Sequence, residues 1–195
     1  MTPDQLSTNK KYSLKMLIFD AITMAYGIIA LAIFVPWILL SITPDNPISL
    51  QVSDLIYQFF SFFCHQLWLR SLFFNNIKAP VCARCTTIYL ATIIGLAFFR
   101  LKGYGTKEFK MNYVLLVLLF LPTALDGITQ LFGWRESTNL LRLLAGTPFG
   151  LGYAYLIAWG LPLTYALTEL ITITIRSNSE ADPVANRIKK MIWPL

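Results

Sequence analysis

Four stretches of this chain stay apolar for about twenty residues or more, and nothing else in the sequence restricts the fold as strongly. They cover residues 17–42, 81–101, 111–132 and about 147–170, the last staying apolar to 175. A helix of about 20 residues, rising about 1.5 Å per residue, crosses ~30 Å of hydrocarbon. The expected fold class is therefore all-α: a polytopic membrane protein with four transmembrane helices. Composition agrees. Hydrophobic residues make up 56% and charged residues only 13%, against roughly 25% charged in soluble domains. Disorder is excluded, because disordered chains are rich in charge and poor in apolar residues.

Residues 17–42 resemble the apolar region of a signal peptide, with Ala30-Leu31-Ala32 in the position of a cleavage site. The apolar run continues through Phe34, Val35, Trp37 and Leu40, too far for that reading, so this is the first span. Residues 137–175 would make roughly 58 Å of helix, too long for one crossing. Residues 137–145 are accordingly expected as an interfacial segment turning into the fourth span around Gly146. Pro162 and Glu169 are tolerable there if neighbouring helices satisfy them. Residues 50–74 are aromatic and apolar but carry His65, Gln66 and Arg70. They read as an interfacial or re-entrant helix between spans one and two, with Ser53 or Asp54 as its cap; a fifth span is the alternative.

The charge distribution orients this arrangement. Eleven of the sixteen Lys and Arg fall before span one, from the end of span two (Arg100) to span three, and after span four. Arg70, Lys78, Arg84, Arg135 and Arg142 fall on the other side. The positive-inside rule places the more basic side, with both termini, in the cytoplasm of a multi-pass protein of the cell membrane. The chain then divides into a cytoplasmic segment 1–16, a membrane domain 17–175 and a basic cytoplasmic tail 176–195, whose Arg187, Lys189 and Lys190 would sit near anionic headgroups. The net charge of +6 follows topology, so nucleic acid is not an expected partner; the lipid bilayer is. There is no internal repeat.

The unusual polar residues gather on the less basic side. Cys64-His65-Gln66, Arg70-Ser71 and Pro80-Val81-Cys82-Ala83-Arg84-Cys85 precede or begin span two. Asp126-Gly127, Thr129-Gln130, Arg135, Ser137, Asn139 and Arg142 end span three or precede span four. Antiparallel helices would bring both groups to one end of the bundle.

A Cys-x-x-Cys pair at a helix start sits near unpaired backbone N–H groups and the positive helix end, a setting that lowers thiol pKa. Cys64, His65, Cys82 and Cys85 make a Cys₃His set suited to Zn²⁺ or another divalent transition metal. Adjacent residues on a helix point about 100° apart. One of Cys64 and His65 with the pair, completed by Asp126 or water, is therefore an equal expectation. A structural disulfide, redox chemistry and inert buried thiols are the competing readings. A lone His is ordinarily a hydrogen-bonded polar residue; His65 draws interest only through its neighbour.

Asp126 lies roughly 9 Å inside the end of its span, a depth at which a carboxylate is paired or functional. Arg84, Arg135, Arg142 and Arg70 are the candidate partners. The bland reading is a buried ion pair fixing helix register. The sharper one gives Asp126 an acid–base role and makes Arg84, Gln130, Arg135, Asn139 and Arg142 the site of an anionic lipid or small molecule, held by forked donors. Gly146-x-x-x-Gly150 signals close helix packing. Phosphate-loop, zinc-protease and serine-hydrolase motifs are absent.

In order, Cys64-His65-Gln66, Arg70-Ser71, Pro80-Val81-Cys82-Ala83-Arg84-Cys85-Thr86, Asp126-Gly127 with Thr129-Gln130, then Arg135, Ser137, Asn139 and Arg142-x-x-x-Gly146 resemble the prokaryotic integral-membrane family known as domain of unknown function 2085. That pattern has small residues after the second Cys, where this chain has Thr87 and Ala91. The resemblance implies that the polar set belongs together, and it implies no activity. Three functional classes fit these residues. The first is a membrane metalloprotein, hydrolytic on a lipid or phosphorylated headgroup if it is an enzyme. The second is a non-enzymatic binder or transporter of an anionic molecule, with the cysteines as a disulfide clip. The third is a membrane thiol–disulfide oxidoreductase.

Overall fold

A computed structural model describes residues 3–104 and 111–181, with side chains over 16–104 and 111–161. Six helices and one hairpin follow in order: α1 (Pro3–Ala32), α2 (Val35–Ile42), α3 (Pro47–Ser61), a 3₁₀ turn (Trp68–Arg70), β1 (Ser71–Phe74), β2 (Ile77–Cys82), α4 (Ala83–Leu101), α5 (Tyr113–Leu131) and α6 (Asn139–Ala181). Four segments are long and apolar enough to cross a membrane: Met16–Ile42, Ala83–Leu101, Tyr113–Leu131 and Asn139–Leu161. The protein is a helical membrane protein with four candidate spans. Leu118, Leu131, Leu140 and many other large apolar side chains are exposed, as helices with lipid for solvent require.

The first span is broken. α1 ends at Ala32 and α2 restarts at Val35, with Pro36 in its first turn. Ile33, in the break, is fully buried against Phe60, Cys64 and Val81. α3 has fifteen residues, about 22 Å of helix, which is short of a crossing. It begins earlier than its polar residues suggest. Asn46, not Ser53 or Asp54, is the cap, its Oδ1 accepting from Ile48 N at 2.9 Å, with Pro47 at the first helical position. Ser53 is buried mid-helix.

The hairpin is not part of an all-α expectation. Its turn residues Asn75 and Asn76 have φ of 49° and 61°, the left-handed pair that joins twisted strands through two residues. Phe74 pairs with Ile77 and Phe73 with Lys78, but Ser71 pairs with Cys82, so the register slips within β2. Pro80 lies in that slip and has no N–H to offer the ladder. β2 then passes directly into α4, with Cys82 as the residue before the first helical turn.

α6 runs unbroken through Gly146, where a turn out of an interfacial segment was expected. Gly146 serves packing instead. A Cβ on it would lie 2.6 Å from the Arg84 carbonyl oxygen, and one on Gly150 would lie 2.5 Å from that of Ile88. Thr87 and Ala91 border the same two glycines, so small residues on α4 and α6 let the backbones meet. Thr92 Oγ1 bridges them, donating to Gly150 O at 3.2 Å. α5 joins through Thr123 Oγ1, which donates to Ala145 O at 2.5 Å, and through the Phe120–Phe149 ring contact. Gly133, at φ +69°, ends α5, and the turn returns Trp134 N to Thr129 O at 3.0 Å. The tail residues Arg187, Lys189 and Lys190 and most of the loop after span two lie outside the described residues.

Candidate metal centre and polar network

The centre is built where α3 ends and where α4 begins. α3 ends at Ser61, and the chain turns so that Cys64 N hydrogen-bonds Phe60 O at 2.9 Å. Gln66 follows in left-handed conformation, φ 50°. Its amide donates to Tyr57 O at 2.6 Å and its carbonyl accepts from Lys78 Nζ at 2.9 Å, while Tyr57 donates its hydroxyl to Lys78 O. This mesh ties the Cys64 turn to the hairpin strand that delivers Cys82.

The Sγ atoms of Cys64, Cys82 and Cys85 lie within 4.8 Å of one another. Cys64 is buried, 7% exposed, against Ile33, Phe60 and Val81. Its sulfur accepts the backbone N–H of Cys82 at 3.2 Å. Hydrogen bonds from the Cys82 thiol, then the Cys85 thiol, hold Cys64 far below the ordinary thiol range, and the same bond to Cys64 pushes Cys82 up. The three sulfurs lie at the positive, N-terminal end of α4, a setting that favours thiolate. They form a group close enough to bind a metal. His65 is exposed and stands outside it.

Arg84, inside the Cys-x-x-Cys segment, ion-pairs with Asp126 on α5. Asp126 is 2% exposed. Its other carboxylate oxygen, Oδ1, accepts from Arg135 Nη2 at 2.9 Å, while Gln130 Nε2 donates at 3.0 Å to Oδ2, the oxygen that meets Arg84. Arg135 Nε also donates to Thr129 Oγ1 at 3.1 Å. Ser137 is buried, its Oγ donating to Thr138 O at 3.4 Å. On α6, Arg142 donates to Asn139 Oδ1 at 3.0 Å and Gln130 Oε1 at 3.2 Å. Asn139 donates to Ser71 O at 3.2 Å, and Ser71 is the strand partner of Cys82. Arg84, Gln130, Arg135, Asn139, Arg142 and Asp126 therefore form one hydrogen-bonded set, joined to the cysteines through Arg84 and the hairpin. Tyr57 and Lys78 position this end of the molecule and carry no motif signal, and Ser71 enters as the strand partner of Cys82; only the Asn75-Asn76 turn could have announced the hairpin that brings them in.

Residues 64–156 match the family described as "Predicted membrane protein (DUF2085)". An uncharacterised protein of Methanothermobacter thermautotrophicus is 40% identical over 97 residues, which are 50% of this chain and 86% of that relative. The chain belongs to this DUF2085 membrane family. A second uncharacterised relative, from Methanocaldococcus jannaschii, is 38% identical over 96 residues, covering 49% of this chain and 61% of its own length. The DUF2085 match runs from Cys64 to just beyond Ala154, so it contains all three cysteines, Asp126 and the arginines around it. No solved structure matches the chain.

Proposed function

We propose that this protein is a metal-binding membrane protein whose centre is a zinc site formed by Cys64, Cys82 and Cys85. The carrying observation is the approach of three sulfurs to within 4.8 Å of one another. Zn–S bonds of about 2.3 Å place tetrahedral ligands about 3.8 Å apart, so small side-chain rotations close the set on one ion. Thiolate donors select Zn²⁺ and similar soft-to-borderline ions over Mg²⁺ or Ca²⁺. The N–H of Cys82 at the Cys64 sulfur is the kind of outer partner that orients a ligand. The fourth position falls to water or to a bound molecule, because Asp126 is engaged by Arg84, Arg135 and Gln130. That engagement also argues against Asp126 as a general base. The reading is therefore binding rather than turnover, with hydrolysis of a lipid or phosphorylated headgroup the alternative that an open metal position would serve.

The excess of basic residues on the other side supports placing this centre on the outer face, with both termini cytoplasmic. Reporter fusions at each terminus test that assignment.

Elemental analysis of purified protein tests the centre. We expect about one zinc per chain, falling well below half in Cys82→Ser. Sub-stoichiometric metal that Cys82→Ser leaves unchanged overturns it. So do cysteines that react with thiol reagents only after reduction, which indicate a disulfide.

A further inference from the structure

Arg142 is 6% exposed. Its two terminal nitrogens donate to neutral amide oxygens, those of Asn139 and Gln130. Its Nε is buried and has no partner. Arg84 repeats the pattern: one nitrogen meets Asp126, while its Nε is buried without a partner. Arg135 meets the same carboxylate. Arg84 and Arg135 share one Asp and Arg142 pairs with no acid, so three guanidiniums stand against a single carboxylate. Glu136, the nearest other acid in sequence, is exposed and makes no ion pair among the described residues. Arg70 precedes Ser71, whose carbonyl accepts from the Asn139 amide that also holds Arg142, so a further guanidinium belongs to this end of the molecule. Burying cations against neutral dipoles is costly, and leaving a charged donor unpaired is costlier still. A fold that does this around several forked donors has an anion missing from its charge balance.

We infer that Arg84 and Arg142 form the floor of a phosphate-binding site whose rim is Arg135 and Arg70. Guanidiniums in this excess suit a phosphate group better than a carboxylate, and its several oxygens suit donors arriving from α4, α5's following turn and α6. The way in is from the rim. The side chains of Arg84 and Arg135 keep 22% and 40% of their exposure, and Arg70 is exposed. Asp126, which holds Arg84 and Arg135, is five residues from the end of α5 at Leu131, about 8 Å along the axis. That depth is within reach of a phospholipid headgroup as well as of free phosphate or a phosphomonoester. The site stands whether or not a metal occupies the cysteines.

The test is thermal unfolding of the full chain in uncharged detergent, in two arms at constant ionic strength. One arm adds inorganic phosphate; the other adds phosphatidylglycerol, with a phosphate-free glycolipid as control. The midpoint is expected to rise by about 5 °C or more at saturation in at least one arm, and the arm that responds identifies the source. Arg142→Gln should abolish the rise while its unliganded midpoint equals or exceeds that of the wild type, because an unmatched buried charge has gone. Calorimetric titration of wild-type protein with phosphate and with phosphatidylglycerol micelles needs no variant and should show saturable binding in the same arm. No shift and no saturable binding in either arm overturns the site. So does a shift that Arg142→Gln retains, or one that chloride reproduces. Zinc content is measured on the same samples: if Arg142→Gln lowers zinc and no phosphate response exists in the wild type, Arg142 balances the thiolates and the inference fails.

Discussion

Arg84 and Asp126 are ion-paired across 42 residues of sequence. The pair joins the start of α4, where two of the three cysteines sit, to the end of α5, where the polar network begins. Arg84 is flanked by Cys82 and Cys85 within two residues, so what holds its side chain also holds the turn that presents both sulfurs.

Removing Asp126 therefore carries a double penalty. Asp126→Ala leaves Arg84 and Arg135 facing each other, and truncating one partner of a buried pair costs about 3–5 kcal/mol. Arg135, with 40% of its side chain exposed, can turn to water, so the lower end of that range is expected. Asp126→Asn should cost less, since its amide oxygen still accepts. Chemical denaturation in detergent checks the order. Equal stability of Asp126→Ala and wild type would show that the pair is not structural.

The cysteines and the histidine separate cleanly by substitution. Cys64→Ser should remove most of the bound zinc, because it deletes the sulfur that receives the Cys82 N–H. His65→Ala should leave metal content unchanged, since His65 is exposed and outside the sulfur group. Metal loss in His65→Ala would move the centre toward the other ligand set.

Metal affinity should fall with acidity. Binding needs all three thiols deprotonated, and Cys82 is pushed up by its hydrogen bond to Cys64. A raised pKa means that the metal must displace a proton that is still bound at neutral pH. Affinity is therefore expected to rise steadily from pH 6 to 8, with proton release on loading. Competition with a chromogenic chelator across that range measures it; a flat profile would indicate ligands other than thiols.

Helix packing gives a contrast between glycines. Gly150→Ala places a Cβ 2.5 Å from the backbone oxygen of Ile88 and should destabilise by about 1–3 kcal/mol as α4 and α6 separate. Gly27→Ala meets nothing within 4 Å and should be neutral or stabilise by up to about 1 kcal/mol, as for any open helical glycine. Thermal midpoints of the two variants check the difference in sign.

The hairpin turn offers a stabilising change. Asn76 sits at φ 61°, a region glycine enters without steric cost. Asn76→Gly is expected to raise stability by about 0.5 kcal/mol, the Asn-Gly pair being the favoured form of this turn. A lower midpoint would mean that the Asn76 side chain has a role of its own.

The sequence by itself determined the four spans, the class of the fold and the grouping of the rare polar residues. Length and hydropathy alone decide whether a segment can replace water with lipid, and a carboxylate such as Asp126 cannot sit in that environment without company. Its chemistry also named the arginines as partners. What it could not decide were matters of register and direction. Whether Cys64 or His65 joins the pair depends on a turn set by contacts among Gln66, Tyr57 and Lys78 that no sequence pattern announces. Whether Gly146 bends the chain or lets α4 approach depends on which helix lies opposite. The hairpin escaped notice because its strands are short and its turn is Asn75-Asn76, a weaker signal than Asn-Gly. Only the tertiary structure, by closing contacts between residues dozens of positions apart, decided that Arg84 turns to Asp126, that three sulfurs meet, and that Arg142 is left among neutral amides with its charge unmatched.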